Sequence, residues 1–199
     1  MSRTPDDRGF DEMYAGVPPW DIGRAQPEVV RVAEAGGFAE PVIDVGCGTG
    51  ENALELAARG LHVLGIDASA RAIEAARTKA SVRGISAEFL VADALDLGSL
   101  DRRFPSALDC GVFHVFDDPE RPVYVASLAS VLEPGGVLHL LCFSDRQPGS
   151  FGPRRVTQQE LRDSFADGWD VSEIVATTFV TNLPELQAQA WLATIVRTA

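Results

Sequence analysis

The run Val42-Ile43-Asp44-Val45-Gly46-Cys47-Gly48-Thr49-Gly50-Glu51 constrains this chain most. It reads as a short apolar strand, a glycine-rich turn and the start of a helix. Alternate glycines let the backbone pass close to a ligand and take turn angles that a side chain forbids. Two ligands suit such a turn: a dinucleotide, or the methionine part of S-adenosylmethionine (SAM). A dinucleotide turn wants G-x-G-x-x-G, with the pyrophosphate on the helix N-terminus. Here the glycines stand at 46, 48 and 50, one residue tighter, and Glu51 occupies the helix start. A carboxylate there repels a pyrophosphate. No Lys-Ser/Thr pair follows, which excludes a P-loop. A glycine-rich turn without a ligand is the third reading, because such motifs also recur by chance.

The chain's 199 residues suffice for one domain with a sizeable core. It has no long apolar run, so no membrane span is expected. Met1 to Gly9 lacks the apolar core of a secretory signal, which points to the cytoplasm. The formal net charge of −12, with no basic block, argues against nucleic acid and for a small-molecule partner. Cys47, Cys110 and Cys142 are odd in number and far apart, so neither a disulfide framework nor a metal site is expected; they read as small buried residues. A monomer or weak dimer is expected.

Strands and helices alternate along the chain. Residues 10–14 suit a short helix. Gly16-Val17-Pro18-Pro19-Trp20-Asp21-Ile22-Gly23 is irregular, and Trp20 in it either anchors the segment or covers a ligand. Pro27 suits the first turn of a helix running to Ala35. Strands are expected at 41–45, 61–66, 87–92, 107–113 and 137–143. Helices are expected at 52–59, 70–83 with Ser69 as cap, 120–132, and after Thr157 to Ala166. Residues 169–178 and 187–196 read as two antiparallel strands. The pattern predicts an α/β fold with a single doubly wound, seven-stranded, mostly parallel sheet. Such sheets bind ligands beyond the carboxyl ends of their strands. That rule selects the 46–50 loop, Asp67, Asp93 and the region from Cys110 to His114.

Asp67 ends the second strand, where an acid can take both ribose hydroxyls; it equally suits a helix cap. Asp93 ends the third strand, where a carboxylate can accept from adenine N6; alone it is equally a loop aspartate. Asp44, flanked by Ile43 and Val45, points toward the loop amides or a ligand ammonium. Together these positions suit a ligand with an ammonium group, a ribose and an adenine. A sulfonium cofactor carries no phosphate, in agreement with Glu51. His62 and His139 fall inside buried-strand patterns.

Over residues 35–199 the chain resembles a class I SAM-dependent methyltransferase. Asp44-Val45-Gly46-Cys47-Gly48-Thr49-Gly50 resembles that family's first motif, Ile66-Asp67 its second, Ala92-Asp93-Ala94 its third, and Leu132-Glu133-Pro134-Gly135-Gly136 the turn before its fifth strand. Pro19-Trp20-Asp21-Ile22-Gly23-Arg24-Ala25-Gln26-Pro27 is similar to the N-terminal signature of thiol, halide and thiopurine methyltransferases. Gly111 to Phe116 looks closer to bacterial enzymes of the group that methylate small heterocycles or quinone-like compounds. The resemblance implies a Rossmann-like fold, residues 1–34 as an N-terminal segment and lid, and SAM as cofactor. It implies that Trp20, Asp44, Gly46, Gly48, Gly50, Asp67, Ala68, Asp93, Ala94 and Cys110 bind that cofactor. Cys110 stands where the thiopurine branch has arginine and the halide branch tyrosine, so their substrates do not carry over.

The expected reaction is in-line transfer of the sulfonium methyl to S, O or N of a small molecule. His114, beside the expected methyl, is the candidate general base; it equally suits a packed histidine between Phe113 and Val115. Tyr14, Phe113, Phe151 and Arg155 are candidates to line the acceptor pocket. The alternative is a non-catalytic SAM-binding regulatory protein. An RNA methyltransferase is disfavoured by the charge.

Overall fold

The computed structural model describes residues 9–150, 152–183 and 187–198. Strands β1 (Val42–Val45), β2 (Val63–Asp67), β3 (Glu88–Val91), β4 (Phe104–Cys110), β5 (Leu132–Phe143), β6 (Trp169–Val180) and β7 (Gln187–Arg197) form one sheet in the order β3-β2-β1-β4-β5-β7-β6. β1 pairs in parallel with β2 and β4, β2 with β3, and β4 with β5. β7 runs antiparallel to both β5 and β6. The chain therefore reverses direction in strand order at β1/β4, which opens a crevice at the carboxyl ends of those strands.

Among the described residues, α1 (Phe10–Met13) and α2 (Pro27–Glu34) precede the sheet, and α3 (Glu51–Ala58), α4 (Ala70–Arg83), α5 (Glu120–Val131) and α6 (Gln158–Ser164) join its strands. Their ends follow local chemistry. Ser69 caps α4 by accepting from the Ala72 amide, and Gly84 ends it with φ 64°. Thr157 and Glu160 form a reciprocal capping box on α6. Ile73, Ala76 and Ala80 are buried, as the α4 stripe predicts. β1 and β2 are buried along their whole lengths, as central parallel strands covered on both faces require.

Three details depart from the sequence reading. β4 ends at Cys110, and Phe113–Val115 forms a 3₁₀ turn instead of continuing the strand. Glu133 to Gly136 belongs to β5, where the register with β4 shifts between Phe104 and Ser106. His62 lies before β2 with its side chain 86% exposed near Glu40, whereas His139 is buried with Nε2 2.8 Å from the Gly37 carbonyl. None of the described helices is long and apolar enough to cross a membrane.

Candidate active site

The glycine turn passes over the carboxyl end of β1 with Gly46, Gly48 and Gly50 all at positive φ. A Cβ on Gly46 would overlap the Val112 side chain, and one on Gly48 would press on the Tyr14 hydroxyl. Gly50, at φ 86°, opens α3 and packs against Ala76 and Phe89, so its role is in backbone geometry and close packing. The amide of Gly48 is taken by Asp67, whose Oδ2 accepts it at 2.9 Å while Oδ1 accepts the Ser69 amide at 2.8 Å. One carboxylate thus ties the glycine turn to the start of α4.

A cavity of 440 Å³ lies over these strand ends, within the range of small-molecule sites. Gly46, Asp67, Ala68, Asp93, Ala94 and Cys110 line it at the sheet. Asp93 also caps the turn that follows it, accepting from the Leu95 amide at 2.9 Å. Phe10, Met13, Tyr14 and Trp20 of the N-terminal segment form the opposite wall. The Trp20 indole N–H donates to the Tyr14 hydroxyl at 2.9 Å, and its ring meets Phe10 and Tyr14 edge-on. Val112, His114, Val115, Phe116, Phe143, Pro153 and Phe179 supply a largely apolar end.

Asp44 is fully buried, and neither of its carboxylate oxygens has a hydrogen-bond partner among the described residues. It does not reach the loop amides, which the sequence left open; Asp67 takes that place. Burial, reinforced by the charges of Asp67 and Asp109, pushes Asp44 up to about 8. Asp109 is fully buried too. Its carboxylate accepts from the amides of Val112 (2.8 Å) and Phe113 (3.0 Å) and from the Tyr124 hydroxyl (2.8 Å), yet burial still raises it to about 7. Sequence reasoning missed Asp109; an acid in the middle of Leu108-Asp109-Cys110 was its one signal.

His114 differs from its expected role. Its Nδ1 accepts the Phe143 amide at 3.0 Å, so the neutral ring carries its proton on Nε2 and is a donor. Burial, with Arg155 and Arg121 nearby, lowers it to about 3. In this arrangement the ring's one lone pair is engaged and burial suppresses its basicity, which favours a hydrogen-bond donor over a general base. Tyr14, raised by burial and by the Asp67 charge, stays protonated.

Two of the residues expected at the acceptor pocket lie elsewhere. Phe113 is fully buried in the core, stacked near Phe165 and under the Arg121 guanidinium. The 3₁₀ turn rotates it away from the cavity, which an extended strand would not. Arg155 donates to the carbonyls of Gln147, Pro148, Gly149 and Pro153 and lies over Phe143, so it braces the loop between β5 and α6. Phe151 lies outside the described residues. Cys110 is half-buried and lines the cavity, whereas Cys47 and Cys142 are buried.

The donor set fits SAM. Asp67 and Asp93 put carboxyl groups on the cavity at the carboxyl ends of β2 and β3, and among the described residues no lysine or arginine lines it. Asp44, raised to about 8, is largely the neutral acid near pH 7, and a cation brought beside it would favour its charged form. A pyrophosphate would be repelled here; a sulfonium with an ammonium group would not. Glu51 is held by Lys79 at 2.8 Å and Arg83 at 2.7 Å, so those cations are already committed.

Comparison with known proteins agrees. Residues 42–136 match the family described as "Methyltransferase domain". The 2-heptyl-1-hydroxyquinolin-4(1H)-one methyltransferase of Mycobacteroides abscessus is 34% identical over 174 residues, covering 86% of this chain and 77% of that protein. A probable thiol methyltransferase of Arabidopsis thaliana is 28% identical over 155 residues, covering 76% of this chain and 69% of the plant protein. A solved structure described as "Conversion of a Disulfide Bond into a Thioacetal Group during Echinomycin Biosynthesis" superimposes with a TM-score of 0.89 at 38% identity, over 96% of this chain and 92% of the other. The chain belongs to the class I SAM-dependent methyltransferases, with SAM as its cofactor.

Proposed function

We propose that this enzyme transfers a methyl group to a sulfur, oxygen or nitrogen atom of a small, flat, apolar acceptor by in-line displacement. The carrying observation is the division of one cavity: carboxylates at the sheet end, and an apolar wall with no competent base at the other. SAM supplies the activated methyl and its own leaving group. Asp67 and Ala68 hold the ribose side, Asp93 and Ala94 the adenine side, and Gly46, Asp44 and Cys110 the methionine side. Phe10, Met13, Tyr14, Val115, Phe116, Phe143 and Phe179 align the acceptor and exclude water. Positioning and desolvation are the chain's contribution to the rate. His114 offers its Nε2–H to an acceptor oxygen or nitrogen. The names of the mycobacterial and plant relatives, a hydroxyquinolone and a thiol methyltransferase, support acceptors that are acidic or soft enough to react without a protein base.

Residues 1–34 act as a lid on the catalytic domain, 35–199. Asp11 anchors α1 through the Ser69 hydroxyl (2.7 Å) and the Arg71 amide (2.9 Å). Asp21 accepts from Thr49 at 2.7 Å, and Asn182 donates to the Pro18 carbonyl at 2.9 Å. These contacts hold Trp20 and Tyr14 over the site.

A panel of thiophenols, 1-hydroxyquinolones and small nitrogen heterocycles, read by release of S-adenosylhomocysteine (SAH), tests the reading. Turnover on at least one class is expected. SAH binding with no turnover on any would favour a regulatory SAM-binding protein. For a series of thiophenols, the inflection in kcat/KM against pH should track each acceptor's own pKa. An inflection that stays fixed for every acceptor would point to a protein base instead.

A further inference from the structure

Two walls of the apolar end of the cavity reach it along different routes. One is the turn after β4, which carries His114, Val115 and Phe116. The other is the loop between β5 and α6, which brings Gly152 and Pro153. The base of that loop is fixed to the sheet. The Asp145 amide donates to the Val156 carbonyl at 2.9 Å, the Val156 amide donates to the Phe143 carbonyl at 3.0 Å, and the Gln147 side chain accepts the Gln189 amide at 2.7 Å. Farther out, Arg155 braces the loop from within, through the loop's own carbonyls.

Arg154, the residue after Pro153, reaches out of the loop instead. Its Nη1 donates to Asp118, two residues beyond Phe116, and its Nη2 donates to Glu160 in the first turn of α6. Glu160 is itself a fixed anchor. It accepts the Thr157 amide at 2.7 Å and the buried Arg121 guanidinium of α5 at 3.1 Å. Partial burial raises Glu160, but the Thr157 amide and hydroxyl, Arg154 and Arg121 outweigh it and bring it to about 2, so the carboxylate is ionised at neutral pH. Arg121 in turn lies over the Phe113 ring, 4.9 Å from its centroid. The two walls are thus joined twice outside the cavity. The rim joins them through Arg154 and Asp118, and a deeper route runs through Arg154, Glu160, Arg121 and Phe113. A planar guanidinium fork holds two carboxylates in a defined geometry, as a point charge does not.

We propose that Arg154 is a positioning residue that clasps the Pro153 wall to the Phe116 wall, sets the width of the acceptor end and so limits the size of the acceptor that is methylated. The inference rests on the acceptor occupying this end of the cavity. Arg154 does not line the cavity itself, so it acts through the walls it joins. Its side chain is 40% exposed, so solvent partly screens both ion pairs and the expected effect is moderate.

Steady-state kinetics on the full chain with thiophenol and the bulkier naphthalenethiol, read by SAH release, separate this role from a brace for α6. Arg154→Gln should raise KM for thiophenol about fivefold, with kcat within about twofold and SAH affinity by calorimetry unchanged. The same variant should raise the kcat/KM of naphthalenethiol relative to thiophenol, since a looser wall admits the larger ring. Arg154→Lys should recover part of the change, because an ammonium lacks the fork that reaches both carboxylates. Added salt should raise KM in wild type more than in Arg154→Gln, where no clasp is left to screen. Asp118→Asn removes the exposed rim contact alone and should shift KM and the acceptor ratio in the same direction by less. The proposal is overturned if Arg154→Gln leaves KM and the acceptor ratio unchanged. It is equally overturned if that variant lowers stability, kcat and SAH affinity together with no change in the ratio, which would make Arg154 a structural brace. Should Arg154→Gln fail to fold, Asp118→Asn decides, and an unchanged KM and ratio there overturn the proposal. If wild type turns over neither thiol, the reading of the acceptor end falls, and the proposal with it.

Discussion

Asp67→Ala should raise the dissociation constant for SAH by roughly 100-fold or more, about 3 kcal/mol, measured by calorimetry. Asp67 accepts two buried amides, Gly48 at the glycine turn and Ser69 at the α4 cap, and lines the cavity on the side where the proposal puts the ribose. Hydrogen bonds to a charged group are each worth about 1.5–3 kcal/mol, and alanine removes them together with the ribose contact. Asp67→Asn keeps one acceptor oxygen and turns the other into a donor facing an amide, so its loss should lie between wild type and alanine. Loss confined to stability, with SAH affinity within threefold of wild type in the folded fraction, would show that Asp67 is a structural cap and no more. Gly46→Ala should lose SAH binding by a different route. Its Cβ would displace Val112 at a backbone angle that alanine resists, so the turn must move while Asp67 stays in place.

The parts of this site that were legible in the sequence are those whose chemistry is local. Ser69, the Ile73/Ala76/Ala80 stripe and the glycine turn each act within a few residues, and the parallel sheet follows from alternation of apolar runs with helical stretches. The strand-end rule then selected Asp67 and Asp93 without any tertiary information. The errors have a common cause. Gly111-Val112-Phe113 reads as a continuing apolar strand, but Asp109 captures the next amides and turns the chain. That capture is tertiary, because the Tyr124 hydroxyl arrives from α5 to complete it. Phe113 consequently enters the core, and His114 is delivered to the Phe143 amide. Arg155 looked like a pocket cation because its four carbonyl partners are spread through its own loop, and carbonyls leave no mark in a sequence.

Asp109 carries the second large effect, on stability and on the active-site wall together. Asp109→Ala leaves the Val112 and Phe113 amides and the Tyr124 hydroxyl buried without their acceptor, at about 1–3 kcal/mol each, so a loss of roughly 3 kcal/mol or more in urea unfolding is expected. Tyr124→Phe removes one of those bonds and should cost less. Asp109→Asn is the informative variant. Its oxygen can still accept from Val112, but its amide group faces the Phe113 amide, so the turn loosens where it presses Val112 onto Gly46 and carries His114. Methyl transfer should fall at least tenfold while 5′-methylthioadenosine, held on the ribose and adenine side, binds as before. The pH dependence has a definite sign. Asp109 is raised to about 7 in the folded state from about 3.9 unfolded, so the folded state binds more protons between those values. Its ionisation therefore subtracts from stability as pH rises from about 4 to about 7. Asparagine lacks that ionisation, so the stability gap between wild type and Asp109→Asn should narrow across that window. A gap that widened with pH would mean that the hydrogen bonds to the carboxylate outweigh its burial.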